Sequence, residues 1–504
     1  MSKKVSDCSE QESTSVDLAD LKIKSVRGGG VKLLNQGIGF VIQILSTVIL
    51  ARILSPEDYG IMAMVAAVTA FAGLFGNFGL STAAVQKEHL SISEQSTLFW
   101  INVAFGALLT AILIIISPAV AWFYQSPEIV LVTITLSFTF LIGSFGAQSG
   151  VLLTREMRFG LQAVAGIGGA IASLVVSIAL AMNEYRYWSL VWGQIAGSIV
   201  STCLLFILSP FRPGLPSRDT ELKKMLEFGI NVAGFNIINY FARNLDDILI
   251  GRFCGTMTLG LYSRAYSLLM LPITRICSPI SSIAFPAMSK IQRQPEAYRA
   301  YYRRIVSLTA HASMPLTAFL FINSSSIIEL VLGRQWLGAA PIFSVLAITA
   351  FIQSPYSLVG LVQLTLGKGK KYFRMGVSTT VFVSIGFCIG VRWGAMGVAN
   401  AYAIVTYLIV VPFTLWAFHD TPLRLKDFFG TIWLPMFGSL LGIGAVMLIN
   451  SFGPYQYGLL TSLVITSLIF VGVHLITLLM FPFGRAQISW LLSTCKEAFV
   501  KRAS

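Results

Sequence analysis

Charge is what this sequence has least of. Only 12% of its 504 residues are Asp, Glu, Lys or Arg, about half the share of an ordinary soluble domain. Hydrophobic residues make up 55%, and the mean hydropathy is +0.75, so the chain is expected in a lipid bilayer. No soluble domain is left over to carry a basic face, and the net charge of +14 therefore points to lipid phosphates rather than nucleic acid. The six cysteines (Cys8, Cys203, Cys254, Cys277, Cys388, Cys495) show no CxxC or CxxH spacing, which supports neither a disulfide framework nor a metal site. His89, His311, His419 and His474 stand isolated and read as loop or packing residues. No Ser-His-Asp, HExxH, GxxxxGK[ST] or catalytic carboxylate pattern occurs. An enzyme is not expected, nor a cofactor, and any transport energy must come from a gradient or from the substrate. The first thirty residues also lack an apolar core, so they predict a polar cytosolic tail and no cleavable signal peptide.

What is present in abundance is long apolar runs. A spanning helix needs about 20 predominantly apolar residues, and candidates fall at 31–51, 60–82, 98–121, 129–152, 161–182, 188–209, 227–250, 258–287, 305–332, 339–366, 376–391, 395–418, 430–450 and 458–482. The expected fold is an all-α polytopic membrane protein of about fourteen spans. Their interiors are rich in small residues, as in GIGGAIAS (Gly166 to Ser173), which permits close helix contact where lipid removes the hydrophobic driving force. Counted over alternate loops, Lys and Arg divide 27 to 5; cytosolic loops carry the excess, so both termini are expected inside. The basic runs LKKM (Leu222 to Met225), YRAYYRR (Tyr298 to Arg304) and KGKKYFR (Lys368 to Arg374) are then cytosolic and read as topogenic and lipid-surface charge.

Shifting the sequence by 200 residues lays LAR (Leu50 to Arg52) on IGR (Ile250 to Arg252) and Gly60 on Gly260. At nearly the same shift YRYWSLVWGQ (Tyr185 to Gln194) echoes GVRWGAMGVAN (Gly390 to Asn400). These echoes predict two six-helix lobes, 31–209 and 227–418, joined by a cytosolic linker 210–226. Helices within 430–482 lie outside the repeat like an appendage, followed by a cytosolic tail 483–504. Six is even, so the two lobes form a parallel repeat about an axis along the bilayer normal. In LARILSPEDYG (Leu50 to Gly60), Ser55, Pro56, Glu57 and Asp58 have the pattern of a helix start. The aligned RFCGTMTLG (Arg252 to Gly260) keeps Arg and Gly and drops both carboxylates, which favours that reading over a coupling pair.

Ionisable groups at membrane depth are costly and are functional candidates. In the seventh span Asn236, Asn239 or Tyr240, Arg243, and Asp246 or Asp247 recur every three to four residues and so share one face. Arg264 and Arg275 follow in the eighth, eleven residues apart, which is three turns and about 16 Å of rise, so they face the same way. Arg243 and Arg264 either neutralise Asp246 and Asp247 in a structural ion-pair cluster or join Arg275, which has no acid nearby in sequence, in contacting an anionic substrate. A guanidinium suits that role because its planar fork pairs bidentately with phosphate or carboxylate oxygens. The proline-bearing stretches MLPITRICSPI (Met270 to Ile280) and QSPYSLVG (Gln353 to Gly360) are places for kinks.

The stretches LARILSPEDYGIMAM (Leu50 to Met64), FGNFGLSTAAVQ (Phe75 to Gln86), TLFWINV (Thr97 to Val103), REMRF (Arg155 to Phe159), FGINVAGFNIINYFARNLDDILIGRFCG (Phe228 to Gly255), LGLYSRAYSL and AFPAMSKIQ resemble the multidrug/oligosaccharidyl-lipid/polysaccharide (MOP) exporter superfamily. Within it they are closest to the bacterial polysaccharide-transporter branch with its Wzx-type flippases and colanic-acid-exporter-like proteins. The resemblance implies a V-shaped two-lobe fold in the bacterial inner membrane. It also implies flipping of undecaprenyl-pyrophosphate-linked oligosaccharide, with Arg243, Arg264 and Arg275 lining a cationic cleft and a polysaccharide polymerase or export complex as a partner. Ion-coupled relatives use carboxylates in the first lobe; here that lobe has none at membrane depth, leaving Asp246 and Asp247. The alternatives are a cation-coupled multidrug antiporter of the same superfamily, which the arginines disfavour, and a membrane glycan polymerase or ligase, which would need a large periplasmic loop.

Overall fold

The computed structural model describes residues 18–76, 91–216, 222–451, 458–482 and 484–485, with side chains described outside 18–34, 75–76, 222–239 and 241–243. The motif FGNFGLSTAAVQ beyond its first two residues, His89 and most of the 483–504 tail lie outside the described residues. Among the described residues the structure is helical, without a strand. In chain order the helices are α1 (Leu18–Ile53), α2 (Pro56–Gly76), α3 (Ile92–Tyr124), α4 (Glu128–Arg155), α5 (Phe159–Met182), α6 (Trp188–Leu208), α7 (Leu222–Lys290), α8 (Pro295–Ile322), α9 (Ser324–Val331), α10 (Ala340–Thr365), α11 (Gly369–Gly390), α12 (Gly394–Phe418), α13 (Leu425–Ser451) and α14 (Leu459–Met480).

Among the described residues twelve segments are long and apolar enough to cross a membrane, which makes this a multi-pass membrane protein. Two of them, Asn244–Lys290 and Gly369–Phe418, contain a break, at Gly255 and at the 3₁₀ turn Val391–Trp393. The expected fourteen spans require each side of both breaks to cross. Helix α1 begins at Leu18, so part of the stretch read as a polar tail is helical.

The chain divides into two compact units, Met1–Tyr240 and Phe241–Ser504, so the division falls inside α7 rather than in the polar linker. In the first unit α5 and α6 meet backbone to backbone. A Cβ on Gly169 would lie 2.7 Å from the Gly197 carbonyl, and one on Gly197 would lie 2.8 Å from the Gly169 carbonyl. Helices α3 and α4 are pinned by the Thr110 hydroxyl, which donates to the Ser137 carbonyl at 2.9 Å.

At the start of α2 the SPED stretch forms a reciprocal cap. The Ser55 hydroxyl accepts from the Asp58 N–H at 3.3 Å, and Asp58 Oδ2 accepts from the Ser55 N–H at 3.0 Å and from its hydroxyl at 2.7 Å. Arg186, from the turn before α6, then pairs with Glu57 at 3.1 Å and with the buried Asp58 at 3.3 Å. The helix-start reading holds, and the two sequence features that carried the repeat touch one another. Beside them burial, reinforced by Glu128, raises the Tyr187 phenol above its ordinary value.

In the second unit α11 and α12 repeat the close glycine contact, a Cβ on Gly390 falling 2.5 Å from the Gly397 carbonyl. The Arg-Trp echo thus sits in both units at the turn before a glycine-packed helix. The expected span 305–332 is instead two helices. Its long helix ends at Ile322 because Asn323 turns its side chain onto the backbone, Nδ2 donating to Phe319 O at 3.1 Å, while Oδ1 accepts from the Thr466 hydroxyl at 2.9 Å.

Helices α13 and α14 are not an appendage. Phe428 and Ile432 of α13 are buried with Tyr302, Ile305 and Val306 of α8, and Val446 and Phe470 close over Ala318. Part of the basic charge read as lipid-facing is spent on these helices. Arg303 Nε donates to Asp427 Oδ1 at 2.7 Å, Arg299 Nε lies 3.2 Å from Asp427 Oδ2 and its Nη2 donates to Pro422 O at 2.6 Å. Lys371 and Lys368 donate to the carbonyls of His419 and Asp420 at 2.7 and 2.5 Å, where α12 ends.

Candidate functional site

The candidate residues cluster along α7. Gly255 has φ 82° and ψ 177°, a conformation open to glycine and closed to most other residues. The chain doubles back there, because Asp246 before the glycine and Tyr262 after it touch: the Tyr262 hydroxyl donates to Asp246 Oδ2 at 2.8 Å. In an unbroken helix their sixteen-residue separation would put them about 24 Å apart. Asp246 is 7% exposed and Tyr262 fully buried. Asp247, next in sequence, lies within the field of both Asp246 and Arg264.

The structure therefore brings together Asp246, Asp247, Tyr262 and Arg264 at the closed end of this hairpin. It leaves Arg275 further along the second arm with an exposed side chain. Asn236, Asn239 and Arg243 stand on the first arm, but their side chains lie outside the described residues. Tyr240 between them donates its hydroxyl to the Ala67 carbonyl of α2. Tyr262 is the member that spacing arguments missed; it is an aromatic in an apolar run, and only the fold at Gly255 places its hydroxyl on a carboxylate.

The second arm of α7 has two different faces. Tyr262, Ala265, Leu269, Ile273, Ala284 and Met288 are buried. On the other side Ser267, Thr274, Arg275, Ser278 and Ser282 are exposed and Arg264 is half-buried; at 100° per residue they fall on one side of the helix. Such a face is the reverse of what lipid demands, since hydroxyls and guanidinium groups in contact with hydrocarbon are unfavourable. Thr274 and Ser282 are held back on their own helix, donating to Met270 O at 2.9 Å and Pro279 O at 2.8 Å, and can rotate outward to a ligand at little cost.

Pro272, Pro279 and Pro286 recur every seventh residue. Lacking an N–H, each leaves the carbonyl four residues earlier without its helical donor, at Leu268, Arg275 and Ser282. The arm so offers cationic donors and hydroxyls in one line, a surface suited to a polar, anionic, hydroxyl-rich ligand and to water. Among the described residues no group of three or more His, Cys, Asp and Glu side chains could hold a metal ion.

A many-helix membrane bundle with an arginine and hydroxyl lane along one span is the build of a transporter. The Polysaccharide biosynthesis protein family matches residues 49–341, more than half of the chain, and the protein belongs to that family. Teichuronic acid biosynthesis protein TuaB of Bacillus subtilis (strain 168) is 28% identical over 82% of this chain and 85% of its own. Lipopolysaccharide biosynthesis protein WzxC of Escherichia coli (strain K12) is 23% identical over 83% and 86%.

Among solved structures the fold matches that of the lipid II flippase MurJ in an inward closed conformation, with a TM-score of 0.73 at 17% identity, covering 92% of this chain and all of that one. An inward-facing multidrug resistance MATE family transporter of the MOP superfamily matches with a TM-score of 0.59 at 14% identity, covering 75% and 93%. The all-helical, multi-pass class of fold is thus the one expected from the sequence.

Proposed function

We propose that this protein flips lipid-linked oligosaccharide repeat units, carried on undecaprenyl pyrophosphate, from the cytosolic to the outer leaflet of the inner membrane by alternating access and without chemical catalysis. The observation that carries the reading is the exposed Arg275 with its line of hydroxyls on the second arm of α7. A pyrophosphate satisfies a guanidinium fork, and sugars exchange hydrogen bonds with serine and threonine hydroxyls at nearly even energy. Membership of a polysaccharide biosynthesis family, and relatives named for teichuronic acid and lipopolysaccharide biosynthesis, support a glycan cargo. The 27-to-5 division of Lys and Arg supports cytosolic termini. Arg264, Arg243, Asn236 and Asn239 are proposed from the sequence as further cargo contacts, and a polymerase or export complex to receive the product.

Reconstitution into vesicles with fluorescent lipid-linked oligosaccharide tests this. A charge-assisted hydrogen bond is worth about 1.5–3 kcal/mol, so Arg275→Ala is expected to slow translocation about ten- to hundredfold. Arg334→Ala, which removes only an exposed pair with Glu329 at 2.8 Å, should leave it unchanged. Absence of flipping by the wild-type chain refutes the function; equal rates for wild type and Arg275→Ala refute the site while leaving the function standing.

A further inference from the structure

At one end of the second unit three turns meet, and their cations divide into two sets. The first set is turned inward and stitches the turns together. Arg299 of α8 donates through Nε and Nη2 to the Pro422 carbonyl at 3.1 and 2.6 Å, and Arg303 Nε donates to Asp427 Oδ1 at 2.7 Å. Lys368 and Lys371, where α10 passes into α11, donate to the carbonyls of Asp420 and His419 at 2.5 and 2.7 Å. The Tyr298 and Thr365 hydroxyls join α8 to α10 at 2.7 Å. The second set is Lys290 and Arg293 at the end of α7, Lys370 and Arg374 at the start of α11, and Arg424 and Lys426 at the start of α13. All six are exposed, and among the described residues none of these side chains makes a hydrogen bond or ion pair within the protein. The exposed carboxylates at this end are Glu296 and Asp420, and Asp420 faces His419 at 2.6 Å. By contrast, the connections at the opposite ends, 323–339 and 391–393, hold Glu329, Arg334 and Arg392. Like charges exposed in one place repel, and an anion relieves that repulsion.

We propose that these six side chains form a receiving surface for the pyrophosphate of the lipid-linked cargo, a role that rests on the transport reading. Topogenic charge needs no fixed position, whereas here the inward set holds the three turns together and so fixes the outward set. The surroundings are those of a leaflet rather than open water. Phe373, between Lys370 and Arg374, is 42% exposed, and Trp433, two turns beyond Lys426 on the same side of α13, is 38% exposed; rings beside cations at helix ends mark the membrane interface. A pyrophosphate carries more charge than the phosphodiester of an ordinary phospholipid, so it competes favourably for a spread set of cations. The surface also runs into the lane. Lys290 ends the helix arm that holds Arg275, fifteen residues and about 22 Å of rise away. Ser278, Ser282 and Ser289 fall between them, within about 60° of Arg275 around the helix. An anion gathered at the turns thus has a line of hydroxyls leading toward Arg275.

The test uses the full-length chain in phosphatidylcholine nanodiscs, with fluorescent undecaprenyl pyrophosphate as the probe. Three double variants, Lys290→Gln with Arg293→Gln, Lys370→Gln with Arg374→Gln, and Arg424→Gln with Lys426→Gln, leave the inward set intact and should melt with the wild type. A cation near an anionic headgroup strengthens binding about fivefold, so each double variant should bind the probe at least about tenfold more weakly. Arg334→Gln, at the opposite end, should bind it as the wild type does. Unchanged affinity in all three double variants overturns the surface. If phosphatidylglycerol displaces the probe as readily as unlabelled undecaprenyl pyrophosphate, the assignment to the cargo is overturned; if inorganic pyrophosphate does, approach from the leaflet is overturned. In vesicles the double variants should flip slowly at limiting cargo and reach the wild-type rate at saturation, and a lower rate at saturation overturns a receiving role. Arg275→Ala keeps all six cations and should hold most of the probe affinity, so loss of binding in that variant overturns a receiving surface separate from the lane. A wild-type chain that binds the probe and does not flip it refutes the transport reading while leaving the binding surface standing.

Discussion

Asp427→Asn should destabilise the second unit by about 2–3 kcal/mol. The carboxylate is 2% exposed and holds three groups: Arg303 at 2.7 Å, Arg299 at 3.2 Å and the backbone N–H of Arg424 at 2.7 Å. Asparagine keeps the shape but removes the charge and turns an NH₂ group toward a guanidinium. Breaking a buried ion pair by removing one partner costs about 3–5 kcal/mol. Here the Arg299 and Arg303 side chains are 34% and 53% exposed and can rehydrate, so the cost falls at or below the lower end of that range, about 2–3 kcal/mol. For a unit of this size each kcal/mol lowers the melting temperature by about 2–4 °C, giving a fall of about 4–12 °C in a detergent melt. Arg303→Met should cost clearly less in the Asp427→Asn background than in wild type, a coupling of about 1–2 kcal/mol. Asp420→Asn, an exposed partner of His419, should change nothing measurable. A melting temperature for Asp427→Asn within about 1 °C of wild type would refute the reasoning and return these arginines to lipid phosphate.

Three further outcomes follow from the geometry. Tyr262→Phe leaves the buried Asp246 without its hydroxyl donor and should cost about 1–3 kcal/mol, read by chemical denaturation of the purified chain. Gly197→Val drives a branched side chain into the Gly169 carbonyl, already 2.8 Å from a simple Cβ, and should sharply lower folded yield on size exclusion; Gly166→Ala, which meets nothing within 4 Å, should not. Asp58→Ala removes both the α2 cap and the Arg186 pair and should cost about 1–2 kcal/mol, whereas Arg186→Ala leaves the Ser55 contacts in place and should cost under about 1 kcal/mol in the same melt.

Much of this architecture can be read from local pattern. Apolar run lengths and basic loops outline the spans, SPED names its own cap, and the loss of apolar pattern near Gly255 marks a reversal that a positive φ there completes. The exposure of Arg275 and the partial exposure of Arg264 accord with the face their spacing suggests, because helical periodicity is a local property. What stayed hidden depends on contacts distant in sequence. YRAYYRR looks like surface charge until Asp427, more than a hundred residues on, is folded against it. Asn323 ends its helix partly for the sake of Thr466.

The distribution of charge in the second unit bears on how a flippase could release what it binds. Outside the α7 hairpin, charged side chains near helix ends hold helices to one another: Asp427 with its arginines, and Lys368 and Lys371 on the carbonyls of Asp420 and His419 just past α12. The second arm of α7 instead mixes two guanidinium groups, about 16 Å apart along the helix, with neutral hydroxyls. On the proposed function a pyrophosphate, which spans only a few ångströms, would engage one arginine at a time, while the hydroxyls would exchange sugar for water at almost no net energy. A lane of this kind binds firmly enough to draw an anion out of the leaflet and weakly enough to pass it on. A dense cluster of arginines would hold the anion instead. Adding a third positive charge at an exposed hydroxyl of the lane, as in Ser278→Arg, should therefore raise the affinity of the cargo and slow its release. Tighter binding with slower turnover is the expected signature, and faster turnover would refute this account of the lane.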